Sequence, residues 1–438
     1  MSQSKGKFHY GFLILFACCA VCFSSTTLSF NTASIFYTPV SEELGIGSGL
    51  FGTYMTVQYA AMCVFMVFSG RIFKKYDARI VLSACVVVIS AALISMSRFD
   101  ALWQFYIAGA FLGIANAIPL YLMVPTMIDR WFKKNVGLFI GVGLAFTGIG
   151  AMVFNPIGGF IIQNYGWRMG YLAFGVISLV IALPCTLFLI RSYPADKGLL
   201  RFGETADDSI SAAEAMAKPL AGMTLKQALR TPLLYTCALY AGLVDCGITL
   251  NYYLASMVMS LDPAYTVIIA STVAASVQAG QLIGKMLLGV INDFSIKAGV
   301  FSTITFGVVG IGLITFFGAQ GLWILYVGGF IFGMYFAGAT VTTSVMTRGF
   351  FGSLDYTRIF SIVAVVATAG SAFSSGIWGM LHEATGSYSA TFTVGLGFIC
   401  CIYIVGIVCF ALAKRTHVPG ADEETERVSD SAFAEVAE

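Results

Sequence analysis

The sequence predicts an all-α membrane protein of twelve transmembrane helices in two six-helix halves. Three observations carry this. The 438 residues are 58% hydrophobic and only 11% charged, with a mean hydropathy of +0.86, far too apolar for a soluble chain of this length. Apolar runs of about 20 residues or more, enough to cross a hydrocarbon core of roughly 30 Å, recur along the chain. One long polar connection, residues 191–230, divides those runs six and six.

Taken in order, the spans fall near residues 9–37, 48–70, 79–97, 102–128, 137–162 and 167–190. After the connection they resume near 231–258, 264–290, 298–318, 321–347, 359–381 and 387–412. They read as helices, because no train of alternating ten-residue segments indicates a barrel. The first run follows Lys5 and Lys7 but is too long for the apolar region of a signal peptide, so it reads as a retained helix. The domains are then 1–190, a linker 191–230, 231–417, and an acidic tail 418–438 that reads as disordered. Within the linker, Gly222 to Arg230 has the pattern of a short amphipathic helix, and Glu204 to Glu214 reads as flexible.

Charge placement sets orientation. Of the 24 Lys and Arg residues, only Arg98 and Arg168 fall on the side opposite the termini and linker, and Lys285 lies inside a span. Positive loops stay inside, so both termini and the linker are expected in the cytoplasm, and the chain in the cell membrane as a multi-pass protein. The net charge of +2 gives no reason to expect a nucleic-acid partner. The eleven cysteines lie in apolar runs without metal-ligand spacing, and the three histidines, His9, His382 and His417, lie near span ends or in the tail. No metal or cofactor and no enzyme activity is expected. The linker and tail are too short for a signalling domain, although a membrane sensor without transport remains an alternative; a channel would call for a charged ring.

The two halves share a device. Span 2 ends in GRIFKKYDAR, from Gly70 to Arg79, and span 8 ends in GVINDFSIKA, with Gly289, Asp293 and Lys297. A glycine followed by a tight charged turn at equivalent places is the mark of a transporter with parallel repeats. On these residues the chain resembles the major facilitator superfamily, whose loop pattern GxLaDrxGrk is matched by Gly289, Ile291, Asp293 and Lys297. The first copy departs, with Lys74 and Asp77 where the pattern has Asp and Gly. Within the superfamily it resembles the oxalate/formate antiporter and monocarboxylate transporter group through Asp129 to Gly150, Tyr165 to Arg168 (YGWR), Pro194 to Gly203, Lys285 to Asp293, and Phe351 to Tyr388. The resemblance implies the major facilitator fold and a secondary active transporter, acting as a monomer on a small organic acid with protons or a counter-anion as coupling partner.

Placing an ammonium at a helix centre in a bilayer costs about 2.5–3.5 kcal/mol on insertion scales, so such a group usually lines a cavity. Lys285 shares one helix face with Gln278 and Gln281, and the resemblance places at its offset from Asp293 a cation that engages substrate carboxylate. The competing reading is a lysine snorkelling to the inner surface. Asp245 in span 7 is the other intramembrane charge; it either pairs with Lys285 or takes up a proton, which makes it the coupling candidate. The resemblance leads one to expect a second cation in span 11, but Ser361 to Ser375 contains none, which favours one carboxylate over two. Asn31, Gln58, Tyr121 and Tyr335 complete the expected polar lining. The glycines of span 5, Gly137, Gly141, Gly148, Gly150, Gly158 and Gly159, with Asn155 and Pro156 interrupting the helix, read as close helix packing or as a weak antiporter pattern. Export of larger amphipathic compounds is the alternative activity.

Overall fold

The computed structural model describes residues 9–133, 136–203, 222–352 and 354–415. The Glu204 to Glu214 stretch and the tail from Val418 lie outside these residues. Among them, twelve long helical segments follow one another. They are α1 (Gly11–Leu44), α2 (Ser48–Lys75), α3 (Ala78–Met96), α4 (Leu102–Trp131), α5 (residues 136–165) and α6 (residues 167–189). After the connection come α7 (Pro232–Leu261), α8 (Val267–Phe294), α9 (Ile296–Gln320), α10 (Leu322–Phe351), α11 (Tyr356–Thr385) and α12 (Tyr388–Ala413). At 1.5 Å per residue the 28 residues of α2 and of α8 each span roughly 42 Å.

The spans run longer than the apolar runs alone indicate. The last turns of α1 and α10 are polar but docked, Tyr37, Val40 and Ser41 in one and Thr347, Phe350 and Phe351 in the other being buried. Between α5 and α6 the helical hydrogen-bonding pattern passes through Gly166, whose φ of +82° turns the chain. A side chain there would be strained in the left-handed region. The expected interruption at Pro156 is absent. The helix continues through it, and Asn155 Nδ2 donates to the Ala151 carbonyl at 2.8 Å, one residue before the Met152 carbonyl that the missing proline N–H leaves free.

A different set of helices is broken. The regular α-helix runs for 17 residues in α4 (Leu102–Ile118), in α7 (Pro232–Ile248) and in α10 (Leu322–Gly338). The hydrogen-bond ladder is then interrupted by a π-helical turn at Pro119–Met123 in α4 and by turns at Thr249–Leu250 in α7 and Ala339–Thr340 in α10, where φ and ψ stay in the right-handed helical region. α1 breaks likewise, with a π-helical turn at Cys22–Thr26 and a turn at Asn31–Thr32. In α1, α4, α7 and α10 the ladder thus breaks part-way along, which is tolerated where the backbone lines a cavity or is buried in protein; α6 and α9 carry π-helical turns as well, at Cys185–Leu189 and Leu313–Phe317, toward their ends.

The connection between α6 and α7 repeats one contact six helices apart. Phe202 pairs with the end of α4, its N–H on the Trp131 carbonyl at 2.8 Å, and Met223 donates to the Phe351 carbonyl at the end of α10, also at 2.8 Å. A single helical turn, Leu225–Ala228, falls within the expected amphipathic stretch, capped by Thr224 and held by Asp355, which accepts from the Leu225 N–H at 2.9 Å. His9 contacts the Leu200 carbonyl at 3.1 Å, so the beginning of α1 and the connection share one side, called here the terminus side.

On the opposite, far side, Gly166 delivers Trp167 and Arg168 to Glu43. Arg168 ion-pairs with both Glu43 and Asp100, and its guanidinium stacks over Trp167 at 4.3 Å. The YGWR stretch thus fastens the α5–α6 turn to the ends of α1 and α3.

Candidate substrate site

The seam between the first six and last six helices is closed on the far side. Glu383 at the end of α11 accepts from the N–H groups of Gly49 and Leu50, at 3.0 and 3.2 Å, and so caps the start of α2. Such a carboxylate also complements the positive end of the helix dipole. Thr38 and Ser256 share a 2.6 Å hydrogen bond, and Gln163 accepts from Ile268 N–H at 3.3 Å. Gly49 and Gly379 touch backbone to backbone: a Cβ on Gly49 would lie 2.4 Å from the Gly379 carbonyl carbon. Outside this seal is a pocket of about 450 Å³ between Thr38, Glu42, Ser256 and His382.

On the terminus side the seam opens. The α5–α8 contact persists down to Gly148, whose Cβ would meet the Gln278 carbonyl at 3.5 Å, but at Gly141 and Gly289 nothing lies within 4 Å. The charged turns are apart too. Gly70 has no neighbour within 4 Å, Asp293 and Lys297 are exposed, and Arg79 has its N–H capped by Asp77 of its own turn at 2.9 Å. Asn292, beside Asp293, provides the local anchor, donating to Thr342 at 3.3 Å.

Between these two levels lie the two intramembrane charges. Lys285 stands nine residues before the end of α8 and Asp245 thirteen residues after the start of α7, so their depths differ by roughly 6 Å, about one helical turn. They do not form an ion pair. Lys285 is half-buried and faces α1 across the seam, with the Cys22 thiol in the π-helical turn as its titratable neighbour. Gln278 and Gln281 on the same face are buried, and their Oε1 atoms accept no hydrogen bond. Gly284, beside Lys285, lets α8 press onto Met334 and Ala337 of α10.

Asp245 has a different setting. Ser371 of α11 donates to its Oδ2 at 3.4 Å, and the hydroxyls of Tyr59, Tyr121, Tyr252 and Tyr335 lie within reach of its charge. Two of these come from α2 and α4, so the carboxylate sits on the seam itself, where Tyr59 and Tyr252 join hydroxyls at 2.7 Å. Backbone contact between Gly242 and Gly370, with a hypothetical Gly370 Cβ 2.3 Å from the Gly242 carbonyl, holds α7 and α11 together beside it.

The other expected lining residues divide. Tyr121, in the π-helical turn of α4, is 37% exposed and faces the opening. Tyr335 is fully buried and braces α10 against α7 by donating to the Val244 carbonyl at 2.9 Å. Gln58 is likewise buried, donating to the Ser29 carbonyl at 3.3 Å, and Asn31 donates to the Thr147 carbonyl at 3.3 Å, tying α1 to α5. The α5 glycines act as packing surfaces: a Cβ on Gly150 would lie 2.2 Å from the Phe23 carbonyl and one on Gly159 2.0 Å from Ser271 Oγ. Sequence reasoning missed Tyr59, Ser371 and Glu383. Only the spacing of Gln58 and Tyr59 beside a polar face hinted at the first, and nothing local marks the last.

Comparison with known proteins agrees with this architecture. The profile of the Major Facilitator Superfamily matches residues 17–275. The glucose-6-phosphate exchanger SLC37A2 of Xenopus laevis is 25% identical over 292 residues, 58% of this chain and 57% of its own. The purine ribonucleoside efflux pump NepI of Salmonella paratyphi A is 24% identical over 186 residues, 42% and 44% respectively, and the human MFS-type transporter SLC18B1 is 24% identical over 147 residues, 31% of each. The chain therefore spans less than two-thirds of these curated relatives. Among solved structures, that of the nucleoside transporter NupG superposes with a TM-score of 0.68 at 14% identity, covering 92% of this chain and 99% of that one. An inward-facing bacterial homologue of the lysosomal transporter Spinster gives 0.65 at 14%, covering 94% and 97%. At these identities the likeness concerns the fold.

Proposed function

The chain belongs to the Major Facilitator Superfamily, and we propose that it is a membrane transporter that moves a small organic anion, a monocarboxylate, across the cytoplasmic membrane by alternating access. In this reading residues 1–190 and 231–417 are two six-helix halves that rock about the site, the terminus side is cytoplasmic, and the conformation described is open to the cytoplasm. The observation that carries it is Lys285, a half-buried ammonium at membrane depth that has no acidic partner among the described residues and faces the opposite half. Such a charge attracts an anion into the seam, and a single cation neutralises a single carboxylate. Lysine offers a point charge where arginine would offer a fork, so affinity here depends less on the planar geometry of the acid. That a relative is named an exchanger of a sugar phosphate fits an anionic cargo. Asp245 is the coupling candidate, able to exchange a proton as the seam opens and closes.

Counterflow of labelled organic acids in proteoliposomes tests this. The protein should accumulate at least one monocarboxylate, and Lys285→Ala should lower its uptake by about 30-fold or more, the cost of removing one member of a buried charge pair. Normal transport of the same acid by the variant would end the anion reading.

One observation favours a second reading, export of larger amphipathic compounds. An apolar cleft of about 540 Å³ runs along α2, lined by Val57, Ala61, Val64, Phe68 and Ile114, and a relative is named an efflux pump. Competition by amphipathic compounds, lost when the cleft is filled by Ala61→Phe, would support it.

A further inference from the structure

The anion reading leaves half of the site unused. A carboxylate brings only hydrogen-bond acceptors, yet the groups around Lys285 are themselves short of donors. Gln278 Oε1 and Gln281 Oε1, on the same face of α8 as Lys285, are buried acceptors with no donor. An unmet buried acceptor costs roughly 1–3 kcal/mol. A few residues away, Asp245 receives one long hydrogen bond from Ser371, and Lys285, the one cation in the same layer of the described residues, turns away from it toward α1. The hydroxyls of Tyr59, Tyr121 and Tyr252 lie within reach of its charge, two of them joined to each other at 2.7 Å. A buried carboxylate with one long hydrogen bond and phenol hydroxyls about it is the chemistry that holds an ammonium, through charge-assisted hydrogen bonds. Tyr121 at its mouth is 37% exposed, which gives this pocket an entrance from the open side of the seam.

Resting on the anion reading of Lys285, we infer that the preferred substrate is a zwitterion with its two charges at opposite ends: the carboxylate on Lys285, the ammonium in the Asp245–tyrosine pocket. Both charges of the site are then neutralised by one molecule, and Asp245 gains N–H donors beyond its one long bond from Ser371. Both anchors belong to the last six helices, on α8 and α7, and the first six reach the ammonium end through Tyr59 of α2 and Tyr121 of α4. A substrate whose ammonium enters that pocket therefore engages both sides of the seam, whereas a simple acid holds only the Lys285 end. Binding free energy that differs between conformations is what moves a two-state equilibrium.

The test measures binding to the full-length purified protein by thermal shift and by competition, with matched series running from β-alanine to aminocaproate, from propionate to caproate, and the corresponding alkylamines. At least one ω-amino acid should bind about tenfold or more tightly than its matched acid and amine, as expected for gaining a second close charge pair. Asp245→Asn should abolish the preference, lowering the ratio of zwitterion to matched-acid affinity by about tenfold. Should Asp245→Asn fail to fold, Tyr121→Ala, which removes one hydroxyl of the pocket, should weaken the zwitterion alone. Equal affinity for acid and zwitterion, or equal weakening of both by Asp245→Asn, overturns this inference and leaves the anion reading standing. Absence of any Lys285-dependent binding across the series overturns both.

Discussion

Gly49→Ala is the sharpest perturbation of the far-side seal. The added Cβ would fall 2.4 Å from the Gly379 carbonyl carbon, 2.6 Å from Met380 N and 2.7 Å from the Gly379 oxygen, all of them backbone atoms that no rotamer change can move. Ordinary contact needs about 3.4 Å or more, so α2 and α11 must part by about 1 Å, and overpacking of this kind costs about 1–3 kcal/mol. In the proposed alternating access this contact is lost when the far side opens, so the whole cost falls on the closed conformation. At about 2 kcal/mol the equilibrium shifts roughly 30-fold toward opening on the far side. The assay is labelling of Ser375→Cys, whose parent serine is fully buried and bonded to Thr56 across the seam at 2.8 Å, by an impermeant maleimide added on the far side, the outside in the orientation proposed, with the signal of the native cysteines subtracted. Labelling should accelerate by about tenfold or more when Gly49→Ala is added. Gly70→Ala, on the same helix with nothing within 4 Å, is the matched control and should change nothing. If both alanines give the same rate in protein that elutes as a folded species, the backbone contact is not what keeps the far side shut.

Other outcomes follow from the same geometry. Glu383→Gln keeps the shape of the α2 cap but removes its charge, and should raise Ser375→Cys labelling by less than Gly49→Ala does, because a neutral cap forgoes only about 1 kcal/mol. Asp245→Asn should flatten the pH dependence of uptake, measured between mildly acidic and mildly alkaline buffers; an unaltered profile removes Asp245 from coupling. Tyr335→Phe deletes the hydrogen bond to Val244 and should lower the melting temperature, at a cost of about 1 kcal/mol, without altering which acids bind. A change in specificity would return Tyr335 to the binding surface.

The spans were legible because a bilayer imposes a minimum apolar length and penalises charge, and both leave marks in composition. Their ends were less so: the last turns of α1 and α10 are buried by tertiary contacts at Val40 and Phe351, which no local hydropathy records. Lys285 and Asp245 stood out for the same reason as the spans, as charges where charge is expensive. Their relation did not, because which way a side chain turns is decided by neighbours far along the chain, here Cys22 for one and Ser371 for the other. Tyr59 was invisible among many aromatic residues until its hydroxyl was seen to meet that of Tyr252. The breaks in α7 and α10 were unreadable too: Thr249–Leu250 and Ala339–Thr340 contain neither proline nor glycine.

Those breaks bear on how the protein tolerates change. In α4, α7 and α10 the regular helix is 17 residues long before it is interrupted. Inserting one residue ahead of an interruption would turn everything beyond it by about 100° and displace it by about 1.5 Å. In α7, a residue added before Asp245 would swing the carboxylate away from the tyrosine hydroxyls about it even though every side chain of the site was still present. These helices therefore behave as rulers: their sequence can drift at many positions, but their length up to the break cannot, and a single-residue insertion or deletion there should be more damaging than most substitutions.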